Sequence, residues 1–230
     1  MPRRRDPNRP KRETLTRERV LRAALVLADE RGIDALSMRE LGRHLGVDAM
    51  SLYNHVDNKD DLLNGILDLV VGEIDLPPGD GDWSQAMRTR ALSAQKVFAR
   101  HPWASQLIDS RTSSGPERLR YLDWMIGTLC RAGFTVDVAL HAYSALDSYV
   151  YGFARQQANL SSDGSASPET AQQLMSQIPT DQFPHLTDVI THWIEAGYDP
   201  DADFDFGLSL ILDSLKRHLD NATQPHDPAT

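Results

Sequence analysis

The most conspicuous chemical pattern in this chain fails its own geometric requirement. Asp199-Pro-Asp201-Ala-Asp203-Phe-Asp205 opens like a calcium loop, yet Phe204 and Leu210 occupy the sixth and twelfth positions, where glycine and glutamate are needed. Acids so placed suit a helix N-terminus instead. His185 and His192 can share a helix face but have no third ligand at metal spacing. Ser144 runs into Ala145 and Leu146 in a helical pattern, which is no nucleophile elbow. The lone Cys130, between Leu129 and Ala132, reads as a small core residue; it excludes an intramolecular disulfide and fits a reducing cytoplasm. No metal site, cofactor or acid–base set emerges, so an enzyme is not expected. What remains is a run of small and polar side chains, Ala49-Met50-Ser51 and then Tyr53-Asn54-His55. At the start of a short helix they would suit contacts with base edges and phosphates.

The charge distribution supports that chemistry. The chain carries a net charge of −9, but residues 1–59 hold 13 Lys and Arg against 9 acids, leaving the later residues strongly acidic. Nine of those basic residues fall within the first 22 positions. A basic head on an acidic body is the footprint of a nucleic-acid binder, although charge alone also allows a solvated basic tail. No run of apolar residues is long enough to span a membrane. The basic start has no apolar stretch behind it, so no signal peptide is expected.

Positioning such residues requires helices, and the periodicity supplies them. Residues 1–13 contain three prolines and no apolar period, predicting a disordered basic arm. Thr16 is placed to cap a first helix with Val20, Leu21, Ala24, Leu27 and Ala28 on one face, stopped by Gly32. Ser37-Met-Arg-Glu40 is a capping box for a second helix ending at Gly46. Asp48 caps a short third helix reaching about Asn54, and Asn58 caps a fourth that carries Leu62, Leu63, Ile66, Leu67 and Val70. Past the breaker at 76–82, helices are predicted near Trp83–Arg100, Trp103–Leu107, Pro116–Ala132, Val136–Ala158, Leu186–Ala196 and Ala202–Leu219. Ser161–Pro168 reads as a flexible loop and residues 220–230 as a disordered tail. The expected architecture is all-α: a three-helix DNA-binding head at 14–74, with a helix-turn-helix at about 37–56, and a helical body at 82–219.

The turn Leu45-Gly46-Val47 joins the second and third helices, with Leu41, Leu45, Val47 and Leu52 placed to hold them together. That is the plan of a helix-turn-helix. From Gly32 to Leu63 the sequence resembles the DNA-binding signature of the TetR (tetracycline repressor) family, most specifically at Leu52-Tyr53, His55-Val56 and Asn58-Lys59. The resemblance implies that Met50, Ser51 and Asn54 read base edges, with Ala49 and Met50 offering apolar contact. It implies that Ser37, Tyr53, His55 and Lys59 hold phosphates and that Arg39 does either. The implied partner is a palindromic double-stranded operator read by a homodimer, with half-sites about 34–36 Å apart or a multiple of that.

The similarity continues more weakly to about residue 219 and implies that the helical body at 82–219 is a regulatory, dimerising domain that binds an effector. Tetracycline repressors bind a magnesium chelate through a histidine, and Leu107 stands at that position. Thr89, Ser93, Asp75 and Gln156 replace other tetracycline-contacting residues, which makes tetracycline improbable as the effector. Trp103, Leu107, Trp124, Met125, Leu140, Tyr143, Asp147 and Tyr151 would converge on a cavity in such a domain; each also suits ordinary core. Asp147 sits at mid-helix among apolar neighbours, so it either meets a ligand or pairs with Arg155 or a facing histidine. The expected effector is a small, largely apolar molecule, uncharged or cationic, that needs no magnesium. Apolar stripes at Val138, Leu146, Tyr149, Val150 and Phe153 and at Leu208, Ile211, Leu212, Leu215 and Leu219 suggest the dimer interface. The expected activity is repression relieved by that effector. A ligand-free dimeric DNA binder and a small helical enzyme remain as alternatives.

Overall fold

A computed structural model describes residues 14–108, 115–162 and 168–223. It is 78% helical, and the described residues form no strand. The chain divides into two compact units, residues 1–66 and 67–230. The boundary falls inside one helix, α4, rather than in the Pro-Gly stretch that follows it.

The first unit is built from α1 (Arg17–Arg31), α2 (Met38–Leu45), α3 (Ala49–Leu52) and the first turns of α4 (Lys59–Gly72). Thr16 caps α1 through a bond from the Arg19 amide, and Ser37 and Asp48 cap α2 and α3 as their sequence predicts. Glu40, the acidic member of the expected capping box, pairs with Arg31 and Arg43 and so ties α1 to α2. Val20, Ala24, Leu27, Leu36, Leu41, Leu52 and Val56 form the small core. The turn between α2 and α3 places Gly46 in the left-handed region, at φ 67°. Gly42 is buried where α3 crosses α2; a Cβ there would lie 3.0 Å from the Val47 carbonyl oxygen and 3.1 Å from the Ala49 nitrogen.

The second unit begins in the last turns of α4. It continues through α5 (Trp83–Arg100), α6 (Ala104–Leu107), α7 (Pro116–Arg131), α8 (Val136–Ser162), α9 (Pro168–Gln177), α10 (Pro184–Ala196) and α11 (Pro200–Thr223). Helix α9 was not expected from the sequence: polar Gln172, Gln173, Ser176 and Gln177 dilute its apolar signal, and α10 supplies the partner for buried Ala171. Residues 161 and 162 are helical rather than loop, and α11 runs four residues into the expected disordered tail. Residues 1–13, 163–167 and 224–230 lie outside the described residues, and with them most of the expected arm, loop and tail.

Two polar devices organise this unit. Gly115, the N-cap of α7, has no side chain to satisfy the first amides of that helix. Asp68 on α4 does so remotely, accepting from the Arg118 amide at 2.9 Å and the Glu117 amide at 3.3 Å. The second device is a buried cluster. Arg90 on α5 is 0% exposed and donates through Nη1 to the Asp147 carboxylate of α8 at 2.8 Å and the Tyr121 hydroxyl of α7 at 2.7 Å. Tyr121 and Tyr151 each donate to Asp147, at 2.7 and 2.8 Å. Burial pushes both phenols well above their usual range, so they remain donors. Burial also works against the Arg90 charge, but Tyr121 and Asp147 more than offset it and its pKa is raised.

Two stability tests follow from these devices. Asp68→Ala should lower unfolding free energy by about 1–2 kcal/mol, the worth of a helix cap, in urea denaturation. An unchanged midpoint would show that water caps α7 equally well. Asp147→Leu alone should cost about 3–5 kcal/mol because it strands the buried guanidinium, whereas Arg90→Met with Asp147→Leu should recover most of that loss. A double variant as unstable as the single one would show that the cluster's packing, not its charge balance, sets the cost.

Candidate nucleic-acid interface and effector clefts

The start of α3 is the outward-facing feature of the first unit. Leu52 is buried against the core, while Met50, two residues earlier and on another face, is 73% exposed. Ala49 and Ser51 are half-buried and Asn54 is exposed. The Ser51 hydroxyl donates to the Asp48 carbonyl at 2.6 Å, so towards a base it offers its oxygen as an acceptor. Tyr53 is 45% exposed, its ring partly clear of the core. His55 is half-buried, and Ser37 stands exposed at the start of α2. The structure therefore brings the expected reading residues onto the exposed beginnings of two helices. Helix N-termini favour phosphate through their free amides.

Charge pairing sorts the basic residues of this unit. Arg17 binds Asp61 through both terminal nitrogens, at 2.7 and 2.6 Å, and donates to the His55 carbonyl at 2.9 Å. Its bonds hold the Asp61 carboxyl below the usual range. Asp61 in turn accepts from the Asp57 amide, so Arg17 fastens the turn that follows α3 to the first helix. The sequence reading counted Arg17 only among the basic charges; an Arg 44 positions from its acid carries no local signal. Arg22, Arg31 and Arg43 are also in ion pairs. Among the described residues Arg39 and Lys59 have no such partner and remain available to phosphate.

In the second unit the expected cavity residues separate. Trp103, Met125, Asp147 and Tyr151 are buried, while Leu107, Trp124 and Tyr143 are half-buried. Leu140 is 51% exposed and lines no interior: it follows buried Ala139 on α8 and so turns to the other side of the helix. Trp124 donates its indole N–H to the Pro77 carbonyl at 2.8 Å, which gives it a structural task. Asp147 pairs with Arg90, neither with Arg155, which is exposed, nor with a histidine. Its Oδ1 accepts from Arg90 and Tyr121 and its Oδ2 from Tyr151, so its charge is balanced within the cluster.

Clefts open in this unit among the described residues. One of about 530 Å³ is lined by Phe98, Ala99, Phe153, Ala154 and Ala158, with Gln95, Gln157 and Asp201 at its polar edge. A polar one of about 320 Å³ gathers Glu73, Asp75, Thr89, Ser93, Lys96 and Arg100. It unites three of the positions that match tetracycline contacts, and the Asp75 amide donates to the Ser93 hydroxyl within it. A small cleft of about 110 Å³ lies among Val71, Ile108, Arg118, Tyr121, Tyr143 and Tyr151. Among the described residues no group of three or more metal-ligating side chains is present, and no helix is long and apolar enough to cross a membrane.

Comparison with known proteins agrees with this geometry. Residues 20–66 match the family described as bacterial regulatory proteins, tetR family, and residues 77–219 match the tetracyclin repressor-like C-terminal domain. The first match ends at the residue that closes the first compact unit. The chain is 33% identical over 223 residues to the HTH-type transcriptional repressor DrrR1 of Streptomyces coeruleorubidus, covering 92% of this chain and 81% of that one. It is 31% identical over 204 residues to the class A tetracycline repressor protein from transposon 1721 in Escherichia coli, covering 87% and 90%. Among solved structures, the Streptomyces coelicolor TetR family protein ActR in complex with actinorhodin superposes with a TM-score of 0.76 at 28% identity, covering 90% and 99%. The chain therefore belongs to the TetR family of bacterial regulatory proteins and is a DNA-binding transcriptional regulator.

Proposed function

We propose that this regulator is a cytoplasmic, homodimeric repressor that leaves a palindromic operator when a small molecule binds its second unit. The carrying observation is the exposed start of α3 in a unit that also holds the unpaired cations Arg39 and Lys59. Met50, Ser51 and Asn54 act as readers of base edges, with Ala49 close to them. Ser37, Arg39, Tyr53, His55 and Lys59 anchor phosphates. The 530 Å³ cleft is of the size that holds a small apolar effector. A related structure holds actinorhodin, which supports an effector role for the same domain here.

The dimer reading rests on α11. Its Phe204, Leu208 and Leu212 are buried within the chain, with α8 as a packing partner, while Phe206 and Leu210 are 68% and 57% exposed. A second copy would cover those exposed side chains. The signal would travel along α4, because this one helix carries Lys59 in the first unit and Asp68 and Val71 in the second. A coupling of about 1–3 kcal/mol between effector and operator is enough for a several-fold to hundredfold response.

Operator binding should fall steeply with salt as cationic anchors release counterions from phosphate. Filter binding at several salt concentrations checks this, and equal affinity for random duplexes would refute the reading. Asn54→Ala should relax the preference at one position of each half-site, costing about 1–3 kcal/mol there. Lys59→Ala should weaken all sequences alike. Sequencing DNA selected by each variant separates the two roles; identical profiles would show that reader and anchor have been wrongly assigned.

A further inference from the structure

The buried cluster of α5, α7 and α8 is incomplete on one side. Arg90 makes its bonds through Nη1, while its Nε and Nη2 are buried without a hydrogen-bond partner. A fully buried guanidinium that leaves two of its three nitrogens unanswered asks for an acceptor. No acceptor of the cluster lies within hydrogen-bond reach of these two nitrogens: Asp147 and the Tyr121 hydroxyl both bond Arg90 through Nη1, and Tyr151 turns to Asp147.

Helical spacing connects this site to the large cleft. Arg90, Ala94 and Phe98 follow one another at i, i+4 and i+8 along α5, and all three are buried. Asp147, Tyr151, Ala154 and Ala158 run likewise along α8. Phe98, Ala154 and Ala158 line the 530 Å³ cleft, and the Phe98 ring meets Tyr151 edge-on with centroids 5.3 Å apart. Ala94 is the small residue between Phe98 and Arg90. The same strip of two helices therefore carries an apolar chamber at one end and an unanswered cationic donor at the other. About 12 Å of α5 separates them, at 1.5 Å per residue.

On the far side of the cluster, Tyr121 and Tyr151 also line the 110 Å³ cleft with Val71 of α4. The polar side chains of that cleft are Arg118 and three tyrosines, with no carboxylate.

We propose that the effector is an elongated apolar molecule bearing an oxygen acceptor, and that this oxygen completes Arg90 while the apolar body fills the cleft at Phe98, Ala154 and Ala158. The acceptor is a carbonyl, carboxylate or phenolate oxygen. A cationic amine is disfavoured at the Arg90 end, because the Asp147 carboxylate is already paired with that guanidinium and bonded by two tyrosines. Binding would press on Tyr151 and Tyr121, which reach Val71 through the small cleft. This inference rests on the reading of the second unit as the effector domain.

Three probes with one ring system test it: 2-naphthoate, 2-acetonaphthone and 2-(aminomethyl)naphthalene, each added to the full chain in thermal melts. The two acceptors should raise Tm by roughly 3–6 °C at ten times Kd, and the amine should show no comparable rise. Arg90→Lys keeps the charge but removes the open fork, and should weaken the acceptor probes about tenfold or more. Because that variant can misfold, Arg90→Met with Asp147→Leu provides a second one, which removes both charges together. In the double variant the preference for acceptors over the amine should vanish. Equal stabilisation by all three probes, no stabilisation by any, or a preference that survives in the double variant would overturn the proposal. Operator release by the same probes, followed by filter binding, tests the effector reading separately. Acceptor-selective binding without release would leave Arg90 as a ligand site and remove the regulatory role. Release that is equally strong with the amine would preserve the role and dismiss Arg90.

Discussion

A guanidinium with no access to water has to be answered by the side chains around it, and Arg90 draws the body together for that reason. Its partners come from α7 and α8, so three helices are fixed by one charge. A neutral core of the same volume would hold these helices by area alone and would tolerate small slides. The ion pair with its two tyrosines demands specific geometry, since breaking any bond leaves a buried polar group without compensation. The cost of this arrangement is marginal stability gain for a high degree of specification, and Nε and Nη2 are left open even so.

Around that fixed centre, the device at α4 has a different physical character. Asp68 holds the first amides of α7 from a neighbouring helix, a job that Gly115 cannot do. Caps of this kind are worth little each, typically about 1 kcal/mol, and can be exchanged for water. The body thus combines a rigid charged core with a weakly latched helix. A regulator needs both: something stiff for the ligand to act on, and something cheap to displace.

Much of this was legible in the residues. The caps Thr16, Ser37 and Asp48 and the breaker Gly46 act within a few positions of the backbone they bind, so local pattern identifies them. The exposed start of α3 follows from the same logic, since burying Leu41 and Leu52 leaves Met50 and Asn54 on the outside. What escaped was long-range. Asp147 was recognisably a carboxylate in need of a partner, yet the partner lies 57 residues away on another helix. Nothing local marks Arg90 as the partner, and Arg17 counts locally only as one of the nine basic charges in the first 22 positions. Leu140 is expected inside only through the family resemblance, and packing alone decides which side of its helix faces inward.

The same distinction explains how one family architecture can serve different effectors. The head depends on local rules and a few exposed contacts, so its sequence is recognisable in this chain over residues 20–66. The body needs only helices of the right length and some centre that locks them. In this chain the positions that match tetracycline contacts, Asp75, Thr89 and Ser93, still share a cleft, but the cleft is polar, and the metal-binding position holds Leu107. The locking centre lies on another face of α5, at Arg90, Ala94 and Phe98. On the proposal that the effector's oxygen completes Arg90, ligand chemistry here would follow the face of α5 that carries the buried charge. The same side chain also ties α5 to α7 and α8, so ligand choice and the packing of the body would be decided at one helical position.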